Sequence, residues 1–290
     1  MYQITNEFLK ATVNPLGAEL ASFKTAEREY LWNGNPAYWN RQSPLLFPII
    51  GSLKDNKTII FGKEYYLNKH GFIRDLDFNL VSKNENEIIL TNSFTEETLT
   101  LYPFKYRMNV KYSLQEKSLI TTYQVFNLDS KIMPFNIGAH PGINCPLYPE
   151  DDFESYAVYF EKAESFSCPK IEKDGLINLN ENVRKYSNLK KLDLKHEIFD
   201  IDTIVILNVK SDWAALLNKS GKGLRIHFSD FNTFAIWSPG SKKAPFVCLE
   251  PWVGYPDNFL SDYDFLKKAD LILLEPRSNI ELSWILEIID

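Results

Sequence analysis

The chain contains 290 residues, of which 44% are hydrophobic and 14% aromatic, and its formal net charge is -6. A chain of this length can bury about three quarters of its unfolded surface, which is enough for a large core. Length alone allows two domains, although β-sandwiches of this size often form one. The acidic balance excludes a surface built to bind a nucleic-acid backbone, because such binding requires a basic footprint.

Alternating apolar and polar residues predict β-strands along most of the chain. In chain order, strands are predicted at residues 9–13, 19–25, 58–61, 87–91, 106–115, 119–128, 203–208, 214–218, 224–228, 233–237, 246–250 and 280–288. The clearest alternation places Tyr106, Met108, Val110, Tyr112 and Leu114 on one face of a strand. A tight turn at 116–117 then leads into a second β-rich run, and together these segments predict a hairpin.

Helical signals are confined to two short segments. Residues 95–99 predict one helical turn before Pro103, and residues 261–268 predict another that begins at a Ser261 cap. No internal repeat, low-complexity segment or linker rich in Pro, Gly or Ser interrupts the chain. We therefore predict an all-β fold of largely antiparallel sheets packed face to face, forming a single domain over residues 1–290.

The cellular compartment is predicted from three weaker features. The first seven residues have no basic or apolar segment typical of a signal peptide, and the longest apolar stretch, 45–50, is interrupted by Pro48. The cysteines Cys145, Cys168 and Cys248 are odd in number and not closely paired, which argues against a disulfide framework. We expect a cytoplasmic protein with no membrane or nucleic-acid partner; the oligomeric state is left open.

Common cofactor and metal motifs are missing from the sequence. Residues 221–226 begin like a dinucleotide-binding fingerprint but lack its third glycine and continue into a predicted strand. The cysteines and histidines show neither C-x-x-C nor H-x-x-x-H spacing, and no G-x-S-x-G segment is present. We therefore expect no cofactor and no dedicated metal site.

Two of the four histidines stand in segments that favour a functional site. His70 precedes Gly71, and His140 lies within Gly-Ala-His-Pro-Gly after a predicted strand. Glycine and proline bend the backbone, and rings at such bends are often presented by loops on a rigid sheet. The alternative is a surface or loop-capping histidine. His196 and His227 lie in ordinary surroundings, and we expect them to be structural.

Glu250 combines with nearby aromatic residues to suggest a binding pocket. It ends an apolar run and is followed by Pro251 and Trp252, so its carboxyl group is expected to be partly desolvated. Desolvation raises a carboxyl pKa and makes the group a better base near neutrality. Indole rings such as Trp237 and Trp252 stack on the C–H faces of sugars, although most aromatics in such a fold are core.

The ordered motifs resemble those of the aldose 1-epimerases, or galactose mutarotase-like proteins. They comprise 33–36 with Trp39, 43–51, 70–74, 138–142 and 248–252, and they span most of the chain. Within that family the chain looks most like the LacX branch, whose members accompany genes of lactose and galactose 6-phosphate catabolism. The resemblance implies a β-supersandwich and interconversion of the α and β anomers of a sugar or sugar phosphate.

The family mechanism, carried onto matching positions, implies three catalytic residues. Glu250 would take the proton from the C1 hydroxyl, His140 would protonate the ring oxygen, and His70 would support the developing charge. The family's usual arginine segment ahead of the first histidine is missing, so we expect Arg74, or otherwise Arg41, to grip the substrate. Asp230 matches the family's substrate-binding aspartate by position only.

Two other functions remain compatible with these residues. The first is a catalytically silent sugar-binding or sensor protein, because one fold supports many functions. The second is a glycoside-processing enzyme that uses two carboxylates, with Asp230 as partner of Glu250. That second reading leaves the histidine motifs without a role.

Overall fold

The computed structural model describes all 290 residues, and antiparallel β-strands account for about half of them. The strands are β1 Tyr2–Thr5, β2 Lys10–Asn14, β3 Glu19–Lys24, β4 Leu45–Leu46, β5 Lys57–Ile60, β6 Lys63–Tyr66, β7 Asn79–Lys83, β8 Glu87–Ser93, β9 Tyr106–Gln115, β10 Ser118–Asn127, β11 Met133–Phe135, β12 Ile137–Ala139, β13 Gly142–Asn144, β14 Tyr156–Ile171, β15 Ile177–Asp193, β16 Ile204–Leu207, β17 Trp213–Asn218, β18 Gly223–His227, β19 Thr233–Trp237, β20 Phe246–Val253, β21 Ile272–Leu274 and β22 Asn279–Ile289.

Helical structure is limited to short turns. The only α-helix, α1, covers Glu96–Leu101, and 3₁₀ turns occur at Lys54–Asn56, Ile73–Asp75, Phe153–Ser155, His196–Phe199, Gly240–Lys242 and Phe265–Lys267. None of these helices has the length and apolar character needed to cross a membrane.

Two large sheets build the body of the protein. The first has nine strands in the order β15-β14-β17-β18-β22-β10-β9-β8-β7. The second has the order β16-β19-β20-β12-β4, with β13 also paired to β20. A continuous cluster of 65 buried hydrophobic residues includes side chains of both sheets. Phe228, at the end of β18, stacks on Phe234 of β19 with ring centroids 4.4 Å apart, so apolar faces hold the two sheets together.

The predicted central hairpin is confirmed. Strands β9 and β10 pair antiparallel with Leu114 opposite Leu119, and the apolar positions of β9 are buried. Strand β22 pairs with β10 on one side and β18 on the other. Its inward face buries Leu282, Trp284 and Leu286. Period-two alternation predicted these strands because each has one face in the core and one toward solvent.

The two helix predictions had different outcomes. The turn at 95–99 is confirmed as α1, with Thr95 and Thr98 forming a reciprocal cap. The prediction for 261–268 is wrong in its start: only a 3₁₀ turn at Phe265–Lys267 forms, and Asp264 caps it by accepting from Leu266 N–H. Ser261 instead accepts a hydrogen bond from Tyr263 N–H at 3.2 Å. The Asp264 carboxylate competes successfully for the cap because its oxygen reaches the free backbone donors.

The long hairpin of β14 and β15 was not predicted. Most side chains of β15 are exposed, and its pairing with β14 contains several register shifts. A strand with solvent on both faces does not alternate apolar and polar residues. The sequence of β15 therefore has no period-two pattern that would predict a strand.

One buried carboxylate connects the N-terminal sheet to the segment that leads into the second large sheet. Glu19 of β3 is 9% exposed, and its Oε1 accepts hydrogen bonds from Gln42 N–H at 2.7 Å and Ser43 N–H at 2.9 Å. The carbonyl of Gln42 in turn accepts from Gly142 N–H, and that of Pro44 accepts from His140 N–H. Glu19 therefore fixes the backbone that carries the central histidine motif.

We expect Glu19→Ala to lower the free energy of unfolding by about 2–4 kcal/mol, because two shielded amides lose a charged acceptor. Urea denaturation followed by fluorescence measures this loss. The exposed Glu27 provides a matched Glu27→Ala control, for which little change is expected. A loss below about 1 kcal/mol for Glu19→Ala would contradict the role assigned to this carboxylate.

Candidate active site

A cavity of about 410 Å³ opens beside the second large sheet and contains both singled-out histidines and Glu250. Its lining residues come from eight separate stretches of the chain: Trp39, Gly51, Lys69, His70, Arg74, His140, Ile171, Gly175, Asp202, Thr203, Val205, Trp237, Glu250, Trp252 and Pro256. A second cavity of about 370 Å³, within the segment 255–269 and next to Leu179, contains no histidine. The first cavity therefore has the groups needed for acid-base chemistry.

Glu250 lies on a strand that is buried on both faces. In β20, Val247 and Leu249 pack in the main hydrophobic core, whereas Cys248 and Trp252 belong to smaller clusters on the other face. Since side chains alternate along a strand, Glu250 shares the face of Cys248 and Trp252. Its side chain is 1% exposed, which confirms the expected desolvation.

His140 forms a close pair with this carboxylate. Its Nε2 lies 3.1 Å from Glu250 Oε2. The imidazole stacks on the Trp39 indole at a centroid distance of 4.8 Å and meets Trp237 edge-on at 5.7 Å. Aromatic packing on two sides fixes the ring, so the pair enters any reaction already oriented.

Burial makes both members of the pair prefer their neutral forms. It raises the pKa of Glu250 well above the ordinary value of 4.5, an effect that Lys69 opposes and Asp202 reinforces. Burial, together with the positive charges of Lys69 and Arg74, lowers the pKa of His140 to about 3. Near neutral pH the pair therefore holds one proton, which 3.1 Å allows to pass between carboxyl and imidazole.

His70 is held in one orientation by the backbone. The ring Nδ1 accepts a hydrogen bond from Gly51 N–H at 3.1 Å, and the backbone N–H of His70 donates to the Gly51 carbonyl at 2.7 Å. In the neutral ring this places the proton on Nε2, which leaves Nε2–H as a donor. Burial lowers the pKa of His70 well below 6.5, and His140 adds to the effect. The neutral donor form thus prevails at pH 7.

The glycine after His70 is required by its surroundings. Gly71 has φ +76°, and a Cβ at this position would lie 2.1 Å from the Phe47 carbonyl oxygen. Only glycine combines that backbone conformation with so close an approach. The bend that turns the His70 ring toward His140, 5.6 Å away between centroids, therefore depends on Gly71.

The structure places some of the predicted substrate-binding residues at the cavity and others away from it. Arg74, Trp237 and Trp252 line the cavity. Arg41 does not: its guanidinium pairs with Asp75 and donates to the Arg74 carbonyl at 3.2 Å, so it supports the Arg74 backbone instead.

Asp230 also lies outside the cavity. It is exposed, and its Oδ2 accepts a hydrogen bond from the Ser283 N–H of β22 at 2.8 Å. The substrate contact and the paired-carboxylate role predicted for Asp230 therefore do not fit its position. Of the other two histidines, His227 meets Glu287 at 2.8 Å and His196 stacks on Phe153 at 4.0 Å, both away from the cavity.

Two charged cavity residues were missed by sequence reasoning. Lys69 stands immediately before His70, and Asp202 precedes the strand β16. Asp202 has φ 111°, an unusual backbone conformation for an aspartate, and its Oδ1 accepts from Thr203 N–H at 2.6 Å. A carboxylate at the boundary of an apolar strand was the signal that identified Glu250, and the same signal was available for Asp202.

A possible metal-ligand set lies at the edge of the cavity, where Cys248 is buried behind the lining residues His140 and Glu250. One donor atom each from His140, Cys248 and Glu250 lies within 4.8 Å of the others, and all three residues are buried. Motif spacing could not indicate this set, because strand pairing between β13 and β20 brings its members together.

The titration of the three buried groups predicts a distinctive pH dependence of stability. The ordinary pKa values are 4.5 for glutamate and 6.5 for histidine. At a pH between these values, His70 and His140 are protonated and Glu250 is ionised in the unfolded chain. The folded chain holds one proton, on Glu250. The unfolded state thus binds one more proton, and these groups make stability rise with pH by about 1.4 kcal/mol per unit.

We expect His140→Asn to decrease this slope, and Glu250→Gln to increase it, by up to about 1.4 kcal/mol per pH unit relative to wild type. Urea denaturation between pH 5 and 6, in buffer containing a metal chelator, measures the slopes. Equal slopes for the three proteins would contradict the assigned protonation states.

Comparison with known proteins places this site in a family. The aldose 1-epimerase family model matches residues 1–284. Protein LacX (plasmid) of Lactococcus lactis subsp. lactis is 40% identical over 261 residues, covering 87% of each chain. A galactose mutarotase related enzyme from Lactobacillus acidophilus has a TM-score of 0.94 at 27% identity, covering 100% of this chain and 97% of its own. A galactose mutarotase-like protein from Lactobacillus casei ATCC 334 has a TM-score of 0.92 at 32% identity, covering 100% of both.

These matches confirm the predicted all-β, galactose mutarotase-like fold and the resemblance to LacX. They also support an isomerase that acts on a small sugar. The chain belongs to the aldose 1-epimerase family.

Proposed function

We propose that the protein is a mutarotase that interconverts the α and β anomers of a hexose or hexose 6-phosphate. The observation that carries the proposal is the pair His140 Nε2 and Glu250 Oε2, buried 3.1 Å apart in a sugar-sized cavity. The C1 hydroxyl and the ring oxygen of a sugar are bonded to the same carbon. A donor and an acceptor this close together can address both oxygens at once.

Ring opening requires that the sugar accept one proton at its ring oxygen and lose one proton from its C1 hydroxyl. With the shared proton on His140, the Glu250 carboxylate takes the proton of the C1 hydroxyl while His140 protonates the ring oxygen. The electron pair of the O–H bond becomes the second bond of the C1 aldehyde, and the C1–O5 bond breaks with its electron pair going to the ring oxygen that His140 protonates. Rotation about C1–C2 and reclosure reverse both transfers, so the pair ends with the same single proton.

His70 supports the same reaction as a neutral donor. Its Nδ1 is engaged by Gly51, which leaves Nε2–H directed to a partner other than the backbone. A hydrogen bond from this group to a sugar oxygen strengthens as negative charge develops there. The indoles of Trp39, Trp237 and Trp252 line the cavity, and their faces suit the C–H surface of the ring.

The charged residues of the cavity wall bear on the choice of sugar. Lys69 and Arg74 both line the cavity, and Arg74 is anchored by donating from Nη2 to the Lys69 carbonyl at 2.7 Å. Two cations near the neutral histidines suit a phosphate on the substrate. Asp202 offers an acceptor for sugar hydroxyls at the same cavity. A hexose 6-phosphate is therefore the substrate we favour.

We expect Glu250→Gln and His140→Asn each to lower the anomerisation rate above the spontaneous background by about 10²–10⁴-fold, because each removes one proton-transfer group. Polarimetry or saturation-transfer NMR measures the exchange. Asp230→Asn serves as a matched control outside the cavity and should keep wild-type rates.

If folded Glu250→Gln and His140→Asn proteins retained the full rate, the assigned proton transfers would be wrong. Saturable sugar binding without rate enhancement by the wild type would favour a sugar-binding or sensor protein instead.

We expect Lys69→Met to raise KM for the preferred hexose 6-phosphate by about 10–100-fold, the effect of losing one charge-assisted contact, with little change for the neutral hexose. Galactose, glucose and their 6-phosphates are the substrates to compare. Lys83→Met, on the exposed strand β7, controls for the loss of a surface charge. Faster turnover of neutral sugars by the wild type, with no effect of Lys69→Met, would exclude the phosphosugar.

A further inference from the structure

The thiol of Cys248 has no part in the proposed proton transfers, yet it faces them. Cys248 and Glu250 are two residues apart on β20 and share one face, and His140 enters from the segment between β12 and β13. Their donor atoms all lie within 4.8 Å of one another. The other two cysteines are engaged elsewhere, with Cys145 Sγ 3.9 Å from the Phe153 carbonyl and Cys168 Sγ 3.7 Å from that of Pro169.

Two polar atoms in this cluster are buried without a hydrogen-bond partner. They are His140 Nδ1 and Glu250 Oε2, on side chains that are 10% and 1% exposed; His140 Nε2 lies 3.1 Å from this oxygen but makes no aligned hydrogen bond to it. Buried polar atoms in folded proteins are nearly always satisfied, and an exception calls for an explanation. A cation bound between the side chains would engage Glu250 Oε2 together with His140 Nε2. His140 Nδ1 lies on the other side of the ring and would carry the N–H of the metal-bound imidazole.

The donor types and spacing fit a zinc-class ion. Zinc takes thiolate at about 2.3 Å and imidazole or carboxylate at about 2.0–2.2 Å, so neighbouring donors in a tetrahedral site lie roughly 3.3–3.6 Å apart. His140 and Glu250 are already at 3.1 Å, and Cys248 needs only a small side-chain shift from within 4.8 Å. The fourth position would face the cavity, as in zinc sites with three protein ligands.

We propose that His140, Cys248 and Glu250 bind one zinc-class divalent cation, and that the bound ion blocks sugar turnover by occupying the acid-base pair. The binding is independent of the proposed function, whereas the inhibition rests on it. The ion is an inhibitor and not a cofactor, because it takes the two groups that transfer protons.

The charges around the cluster determine which cations can bind. Lys69 and Arg74 repel a cation, and Asp202 attracts one across the same cavity. A hard ion such as Mg²⁺ gains too little from one carboxylate to overcome this repulsion, whereas Zn²⁺, Co²⁺ and Cd²⁺ form strong bonds to thiolate and imidazole. Binding also requires the thiol and the pair to release their protons, two for each ion.

The test begins with binding to the chelator-treated, full-length protein. We expect isothermal titration to give one Zn²⁺ per chain with release of two protons, and Co²⁺ to give a thiolate charge-transfer band. Cys248→Ser should weaken Zn²⁺ binding by at least about tenfold and abolish the band, since loss of even an outer contact to a ligand costs about 10–100-fold. Cys145→Ser, at a buried cysteine outside the cluster, should bind as the wild type does.

The second arm measures anomer exchange with and without Zn²⁺. The wild type and Cys145→Ser should be inhibited and then restored by chelator, while Cys248→Ser should keep its basal rate and resist the metal. Unchanged Zn²⁺ affinity in Cys248→Ser, or no thiolate band with Co²⁺, would overturn the proposed site. Metal binding in a protein that accelerates no sugar would overturn the proposed function and leave the metal site standing.

Discussion

The properties of the cavity depend on the burial of an imidazole and a carboxyl group at hydrogen-bond distance. In water His140 and Glu250 would titrate separately, one near pH 6.5 and the other near 4.5. Away from water each charged form loses its hydration, so the pair retains a single proton and no net charge. A proton that either group can hold is what reversible ring opening requires, because the acid and the base must exchange roles at reclosure. The lone pairs of this buried pair are also the donors of the proposed metal site.

The surrounding fold keeps this pair dry and oriented. Glu250 is carried by a central strand of the second large sheet and pairs with Ala235 of β19 on one side. On the other side β13 and β12 pair with the residues before and after it, which fixes the strand at both ends of this position. His140 is clamped between indole rings, and His70 is held through Gly51. Rigid strands and tight backbone contacts leave few conformations to be lost when a sugar binds. Lys69 and Asp202 lie in loops around the rim of the cavity. A substitution at either position can change substrate preference without moving the His140–Glu250 pair.

Much of the strand content could be predicted from sequence, and for a common reason. Strands such as β9, β10 and β22 have one buried and one solvent-facing side. Apolar and polar residues therefore alternate along their sequences. The hairpin of β14 and β15 was not predicted; most side chains of β15 are exposed, so this strand has no alternation of apolar and polar residues. At the site, Glu250, His140 and His70 were identified by local features: glycines, prolines and an apolar run that ends in a charge. Arg41 and Asp230 carried similar local features, but they lie against other partners in the folded chain.

The sequence by itself therefore determined the fold class, the β9–β10 hairpin and the family, because these depend on local pattern and on ordered motifs. It also indicated the three titratable residues that the structure brings together at the cavity. Only the tertiary structure decided which arginine and which aspartate reach the cavity, and that Cys248 stands beside the acid-base pair. Such facts depend on which strands become neighbours. Pairing between segments separated by some 100 residues, as for β13 and β20, is set by the packing of the whole core.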